Sequence, residues 1–216
     1  MPSYRAEKIL TPACLVYFLV CTAGFLCGLW SGFIYVPPGG SPHSAAPLPV
    51  LQCLAAAQVM FFMLFYPVVV AGRNDNGILP SAVEVLVFSM MTVPLYYAAS
   101  FFSDALAADC ARSWLVVLAV WPLGLAAGRM MKGGKGGWAG LTGMTALCLG
   151  LPMVYYVLLE FCPGLNPEPV FRLAPVTFAW SASCPQAEGN VLPAVIWPPV
   201  AWLSLAVFVK LVTFSK

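Results

Sequence analysis

Charged side chains are scarce in this sequence. Asp, Glu, Lys and Arg make up 8% of the 216 residues, whereas hydrophobic residues make up 61%. A soluble domain is roughly 25% charged, and ten basic and eight acidic residues cannot cover the surface of a soluble fold of this size. The mean hydropathy of +0.88 points the same way. Lipid must therefore be the solvent for much of the surface, which predicts an integral membrane protein.

Residues that support catalysis or metal binding are equally sparse. His43 is the single histidine, and none of the eight cysteines forms a Cys-x-x-Cys pair, so haem held by two histidines and a cysteine zinc site have no support. The net charge of +2, without a basic run, argues against nucleic acid as a partner. Acid–base chemistry within the membrane would lack its base. We therefore predict no catalytic residue, no metal, no cofactor and no enzymatic activity.

Long uncharged stretches predict the positions of the transmembrane helices. No charged residue occurs from Ile9 to Gly72. This stretch is long enough for two spans of about 20 residues, divided by the proline- and glycine-rich segment 37–42. The fold class is all-α, with one transmembrane domain over 1–216 and six helices at about 10–36, 48–72, 82–104, 113–130, 138–160 and 191–213. Residues 161–190 are too polar and proline-rich to span and predict a long outside loop between helices 5 and 6.

The distribution of basic residues predicts the orientation. If the N-terminus is inside, eight Lys and Arg residues fall in inside segments, and only Arg112 and Arg172 fall outside. Because basic residues favour the cytoplasmic side, both termini are predicted to be inside. We expect a bacterial inner membrane, since no transit or retention signal is visible in the sequence.

Glycines repeat at intervals of four in two of the predicted helices: Gly24, Gly28 and Gly32 in the first, Gly124 and Gly128 in the fourth. Glycines with this spacing line one helix face and let a second backbone approach closely. They could form a seam with a second copy of the chain, or pack helices of the same bundle against each other. We favour packing within the bundle, because such motifs are common in membrane helices.

Two cysteines fall in the predicted outside loop. A bridge between Cys162 and Cys184 would close a loop of about 23 residues and contribute roughly 3 kcal/mol in the chain-entropy model. Cys110, also on the outside, could replace either partner. The alternative is two free thiols, and we place the bridge slightly ahead of it.

Two loops of the predicted fold have a recognisable pattern. A polar, glycine-containing turn, 73–79, follows the second predicted helix, and the segment 173–176 lies within the long outside loop between helices 5 and 6. This pattern resembles that of the permease subunits of ABC-2-type transporters, including the small subunit of the haem-exporter type, in which a re-entrant outside segment occupies the place of 173–176. The resemblance implies a separate ATP-binding subunit that docks on two inside loops. The docking residues would be Arg73, Asp75, Gly77, Arg129, Lys132 and Lys135.

The function implied by this resemblance is a membrane-embedded permease that moves an amphiphilic substrate with energy from the separate ATPase. Its partners would be membrane lipid, other membrane subunits and the ATP-binding subunit. An alternative fits the scarcity of buried charge and the glycine repeats equally well. It is a non-catalytic structural or assembly subunit of a larger membrane complex, for example an electron-transfer complex.

Overall fold

The computed structural model describes residues 3–34, 48–73, 78–132, 137–162 and 174–183. All regular secondary structure in these ranges is helical. Helix α1 is Ser3–Ile34, α3 is Ile78–Ser103, α4 is Ala107–Lys132 and the short α6 is Pro175–Ala182. Two helices contain a π-helical turn in the middle. Helix α2 runs through Val50–Met60, Phe61–Phe65 and Tyr66–Ala71, and α5 through Gly137–Thr145, Ala146–Gly150 and Leu151–Phe161.

Helices α1 to α5 are long and apolar enough to cross a membrane. Their apolar stretches are Pro12–Ser31, Val50–Ala71, Leu79–Ser103, Ala107–Lys132 and Ala139–Phe161. The prediction of an all-helical, membrane-type chain is therefore confirmed for the described residues. The predicted sixth span, at about 191–213, lies outside the described residues.

Three predicted helix starts were wrong. Each was placed at the first residues of an apolar stretch, whereas the helix begins several residues earlier. Helix α1 begins at Ser3 instead of about 10, and α3 at Ile78 instead of about 82. Helix α4 begins at Ala107 instead of about 113, so Asp109 is in its first turn. The Asp109 carboxylate accepts a hydrogen bond from the Leu106 N–H at 3.0 Å. Polar residues assigned to the loop thus begin the helix, where a carboxylate stabilises free N–H groups and complements the helix dipole.

Each π-helical turn ends two residues before a proline. The turn Phe61–Phe65 comes before Pro67, and the turn Ala146–Gly150 comes before Pro152. A proline has no N–H to donate and its ring crowds the carbonyl four residues earlier, so the preceding turn widens. The widened turn lets both membrane helices continue past the proline without ending.

The glycine repeats pack helices of the same chain together. A Cβ on Gly24 would lie 2.5 Å from the Ala57 Cβ, and a Cβ on Gly28 would lie 2.5 Å from the Val50 Cα. A Cβ on Gly128 would lie 2.7 Å from the Pro67 carbonyl oxygen. These faces of α1 and α4 thus lie directly against α2. Gly32 lies in α1, but its surroundings lie outside the described side chains.

Aromatic rings fill the centre of the bundle. Tyr17 of α1, Phe61 and Phe62 of α2 and Phe88 of α3 have no exposed surface. The Tyr17 ring centroid lies 4.8 Å from that of Phe61 and 4.9 Å from that of Phe88. These rings join three helices into one core, with α2 at its middle.

Helix α5 lies at the edge of the described bundle. Its first part packs against α4, but none of the residues in Leu151–Phe161 is buried. The short α6 packs against the Val50–Met60 part of α2, against α4 and against the π turn of α5. The predicted loop between helices 5 and 6 therefore contains a helix that contributes Ala179 to the core.

Candidate functional site

A buried polar network surrounds Gln58 of α2. The Gln58 side-chain amide donates to the Tyr17 hydroxyl at 2.8 Å and to the Thr92 hydroxyl at 3.0 Å. The Tyr96 hydroxyl donates to the Gln58 carbonyl oxygen at 2.5 Å. The Thr92 hydroxyl in turn donates to the Ser89 carbonyl oxygen at 2.9 Å. The network therefore ties α1, α2 and α3 together inside the apolar part of the bundle.

The arrangement at Gln58 uses both ends of one amide. Gln58 and Thr92 have no exposed surface, and Tyr96 is nearly as buried. A polar group buried away from water is costly unless it is hydrogen-bonded. Here the amide nitrogen and the carbonyl oxygen of Gln58 are both hydrogen-bonded to buried hydroxyl groups. The network is uncharged and contains no acid–base pair, so the arrangement fits a structural clamp better than a catalytic centre. The network was not predicted from the sequence, although a glutamine within a long uncharged stretch is a usable signal.

A second polar cluster lies where α2 ends and α3 begins. Arg73 forms an ion pair with Glu84 of α3, and the two side chains are only 13% and 15% exposed. The Tyr66 hydroxyl donates to the same Glu84 carboxylate at 3.4 Å. Glu84 therefore has two partners in this cluster, Arg73 and Tyr66.

The C-terminal end of α4 reaches the same place. The Lys132 ammonium donates to the Arg73 carbonyl oxygen at 2.6 Å. Arg129, one turn earlier on α4, is partly buried and within electrostatic range of Tyr66. We call Tyr66, Arg73, Glu84, Arg129 and Lys132 the basic corner. The structure thus brings together Arg73, Arg129 and Lys132 of the predicted docking loops, whereas Asp75, Gly77 and Lys135 lie outside the described residues.

The fourth predicted helix, about 113–130, includes Arg129 but leaves Lys132 in the loop that follows, whereas the observed α4 continues to Lys132. Both belong to the last turn of α4. Basic side chains are favoured there because the last carbonyls of a helix carry partial negative charge. Their positions are therefore fixed by a helix, which gives the basic corner a defined geometry.

Hydrogen bonds between helices also hold the opposite end of the bundle. Pro49 is the N-cap residue of α2, and its side chain forms no capping hydrogen bond. Instead the Leu51 N–H donates to the Ser103 hydroxyl at 3.1 Å, and the Leu48 N–H donates to the Phe102 carbonyl oxygen at 3.2 Å. The end of α3 therefore caps the start of α2.

Nearby on the chain, the Arg112 guanidinium pairs with the Asp109 carboxylate at 2.7 Å within α4.

The Cys162–Cys184 bridge stays a prediction. Cys162 directly follows α5, but Cys184 lies outside the described residues. Among the described residues no group of three or more His, Cys, Asp or Glu side chains could hold a metal ion.

We expect Glu84→Gln to destabilise the bundle by about 2 kcal/mol. Removing one partner of a fully buried pair costs roughly 3–5 kcal/mol, and the partial exposure of Arg73 lowers that figure. Adding Arg73→Gln should restore much of the lost stability, because the second substitution removes the charge that Glu84→Gln leaves without its partner. Thermal unfolding in one detergent would measure all three proteins. Glu160→Gln, at an exposed position of α5, is the matched control, and an equal loss there would contradict a specific role for the pair.

No protein-family model, no curated protein and no solved structure matches this chain.

Proposed function

We propose that this chain is the membrane-embedded permease subunit of a transporter, which moves an amphiphilic substrate with energy from a separate ATP-hydrolysing subunit. The observation that supports the proposal is the hydrogen bond from Lys132 to the Arg73 carbonyl oxygen. It joins the two segments on which the ATPase is expected to act. A force applied to either segment is therefore transmitted to both α2 and α4.

The ion pair extends this connection to a third helix. Arg73 follows α2 directly, and its partner Glu84 lies on α3. Tyr66 of α2 also contacts Glu84. A partner that moves the basic corner would thus shift α2, α3 and α4 together. This rigid connection is what a transporter needs to convert ATP hydrolysis outside the membrane into helix movement within it.

The substrate path in this proposal lies between subunits. The centre of the bundle is filled by the rings of Tyr17, Phe61 and Phe88, so a path through one chain would require that core to separate. The Leu151–Phe161 part of α5 has no buried residue, and its Tyr156 is 59% exposed. An apolar, aromatic face of this kind suits an amphiphilic molecule and a second membrane subunit.

The finer topology belongs to the same proposal. A sixth span at about 191–213 would return the C-terminus to the inside, which gives six helices with both termini inside. The basic corner would then face the cytoplasm of a bacterial inner membrane, in agreement with the excess of inside Lys and Arg residues.

The proposal is tested by purifying the tagged chain from its own cells in a mild detergent and identifying the proteins that elute with it. An ATP-binding subunit with ATPase activity is the expected result. Lys132→Ala combined with Lys135→Ala should lower the recovery of that subunit about tenfold, if each exposed charge contributes about 0.7 kcal/mol. Arg112→Ala, in the first turns of α4, is the control and should leave recovery unchanged.

A second candidate function is that of a non-catalytic subunit in a larger membrane complex. The satisfied network around Gln58 favours it, because a clamp of this kind stabilises a single rigid arrangement. In that case the tagged chain should elute with cofactor-bearing membrane proteins and show no response to ATP. That result would reject the permease proposal and support the structural one.

A further inference from the structure

We infer that the basic corner binds the phosphate headgroup of an anionic phospholipid. Three cationic side chains meet there from two helix ends: Arg73 after α2, and Arg129 and Lys132 at the end of α4. Among the described side chains of the corner, Glu84 is the one acid. The five residues of the basic corner therefore include three cationic side chains and one acid.

The orientation of Arg73 leaves part of its guanidinium available. One terminal nitrogen, Nη1, is paired with Glu84. The other, Nη2, is buried and has no hydrogen-bond partner among the described residues. A guanidinium offers five donors in a planar fork that matches the oxygens of a phosphate group. A phosphate at this position would satisfy the buried nitrogen.

Lys132 is placed to contribute to the same site. Its ammonium already donates to the Arg73 carbonyl oxygen at 2.6 Å, so it lies next to the backbone of Arg73. An ammonium group has three donors, and this side chain is exposed. Arg129 lies one turn away on the same helix, and residues three apart share a helix face. The corner thus offers cationic donors from α4 beside that of Arg73.

Apolar surface near the corner selects a lipid over a free phosphate ion. Leu79 and Val83 of α3 are 77% and 55% exposed, and Met130, between the two basic residues of α4, is 44% exposed. Exposed apolar side chains beside cations, at the ends of membrane helices, match the boundary between acyl chains and headgroups. Basic pockets between helices at this boundary are known to bind anionic headgroups.

Native mass spectrometry of the purified full-length chain tests the inference without any ATPase. The chain is mixed with equal amounts of a phosphatidylglycerol and a phosphatidylcholine that have identical acyl chains. We expect the chain to retain the phosphatidylglycerol preferentially. Arg129→Gln combined with Lys132→Gln should reduce that preference by roughly fivefold per cation removed. Arg112→Gln, which removes a cation from the other end of α4, should leave it intact.

Two further measurements make the result decisive. Lys132→Gln alone changes an exposed side chain, so the lipid preference of this variant can be measured even if the double variant unfolds. Its preference for phosphatidylglycerol over phosphatidylcholine should again fall about fivefold. Millimolar inorganic phosphate should not displace the lipid. Equal retention of both lipids, an unchanged preference in the Lys132→Gln variant, or displacement by phosphate would overturn the lipid site. Because the isolated chain is used, failure here leaves the permease proposal standing, and the reverse also holds.

Discussion

Replacing Gly124 with alanine should separate α4 from α2 and lower the stability of the bundle by about 1–3 kcal/mol or more. A Cβ at this position would overlap the Phe62 carbonyl oxygen and would lie 3.1 Å from the Phe62 carbonyl carbon. Both are backbone atoms, so no side-chain rotation can relieve the overlap. The helices must move apart, and the aromatic rings at the centre must repack with them. Thermal unfolding in detergent, followed by circular dichroism, measures the loss.

The matched control for this substitution is Gly143→Ala in α5. A Cβ on Gly143 would meet nothing within 4 Å in the described structure. Alanine is also favoured over glycine in a helix by about 1 kcal/mol, so this variant should be as stable as the parent or more so. Equal losses for the two variants would show that the close approach of α4 to α2 does not set the stability.

Replacing Gln58 with leucine should also cause a large loss. Leucine has a similar size but removes three hydrogen bonds, to Tyr17, Thr92 and Tyr96. Hydrogen bonds between membrane helices contribute about 0.6 kcal/mol on average and up to about 1.7 kcal/mol. We therefore expect the free energy of unfolding to fall by about 2–5 kcal/mol. The three hydroxyl groups stay buried but lose the Gln58 amide to which they were hydrogen-bonded. The same thermal unfolding assay measures it.

A second buried glutamine of α2 gives the control. Gln52 is 9% exposed, and its carbonyl oxygen has no hydrogen-bond partner among the described residues. Gln52→Leu is therefore expected to leave the stability nearly unchanged or to raise it, since an unsatisfied polar atom is removed. If the two glutamine variants lost stability equally, the network at Gln58 would have no special part in holding the helices.

The membrane character and the centres of the five described helices could be predicted from the sequence, because lipid imposes long apolar stretches. The start of α4 could not. Asp109 was taken as a loop residue, and its role became visible only once its carboxylate was seen next to the Leu106 N–H. Helix boundaries depend on such short-range contacts, whereas hydropathy reports averages over about twenty residues.

The candidate site was only partly predictable for a related reason. The basic residues Arg73, Arg129 and Lys132 were named as docking residues because the resemblance to ABC-2-type permease subunits implies two inside loops at these places. Their partners could not be identified, since Arg73 and Lys132 are far apart in sequence and meet only through the packing of α2 on α4. The Gln58 network has the same origin, because its members come from three helices.

The cap that α3 provides for α2 has a consequence for how the protein enters the membrane. The N–H groups of Leu48 and Leu51, at the start of α2, find their partners in Phe102 and Ser103, at the end of α3. While the chain is being synthesised, those N–H groups lack these two protein acceptors until some fifty further residues have been made. A polar backbone group cannot stay unpaired in hydrocarbon at low cost. We therefore expect α2 to wait at the translocation machinery and to enter the bilayer together with α3, as a hairpin.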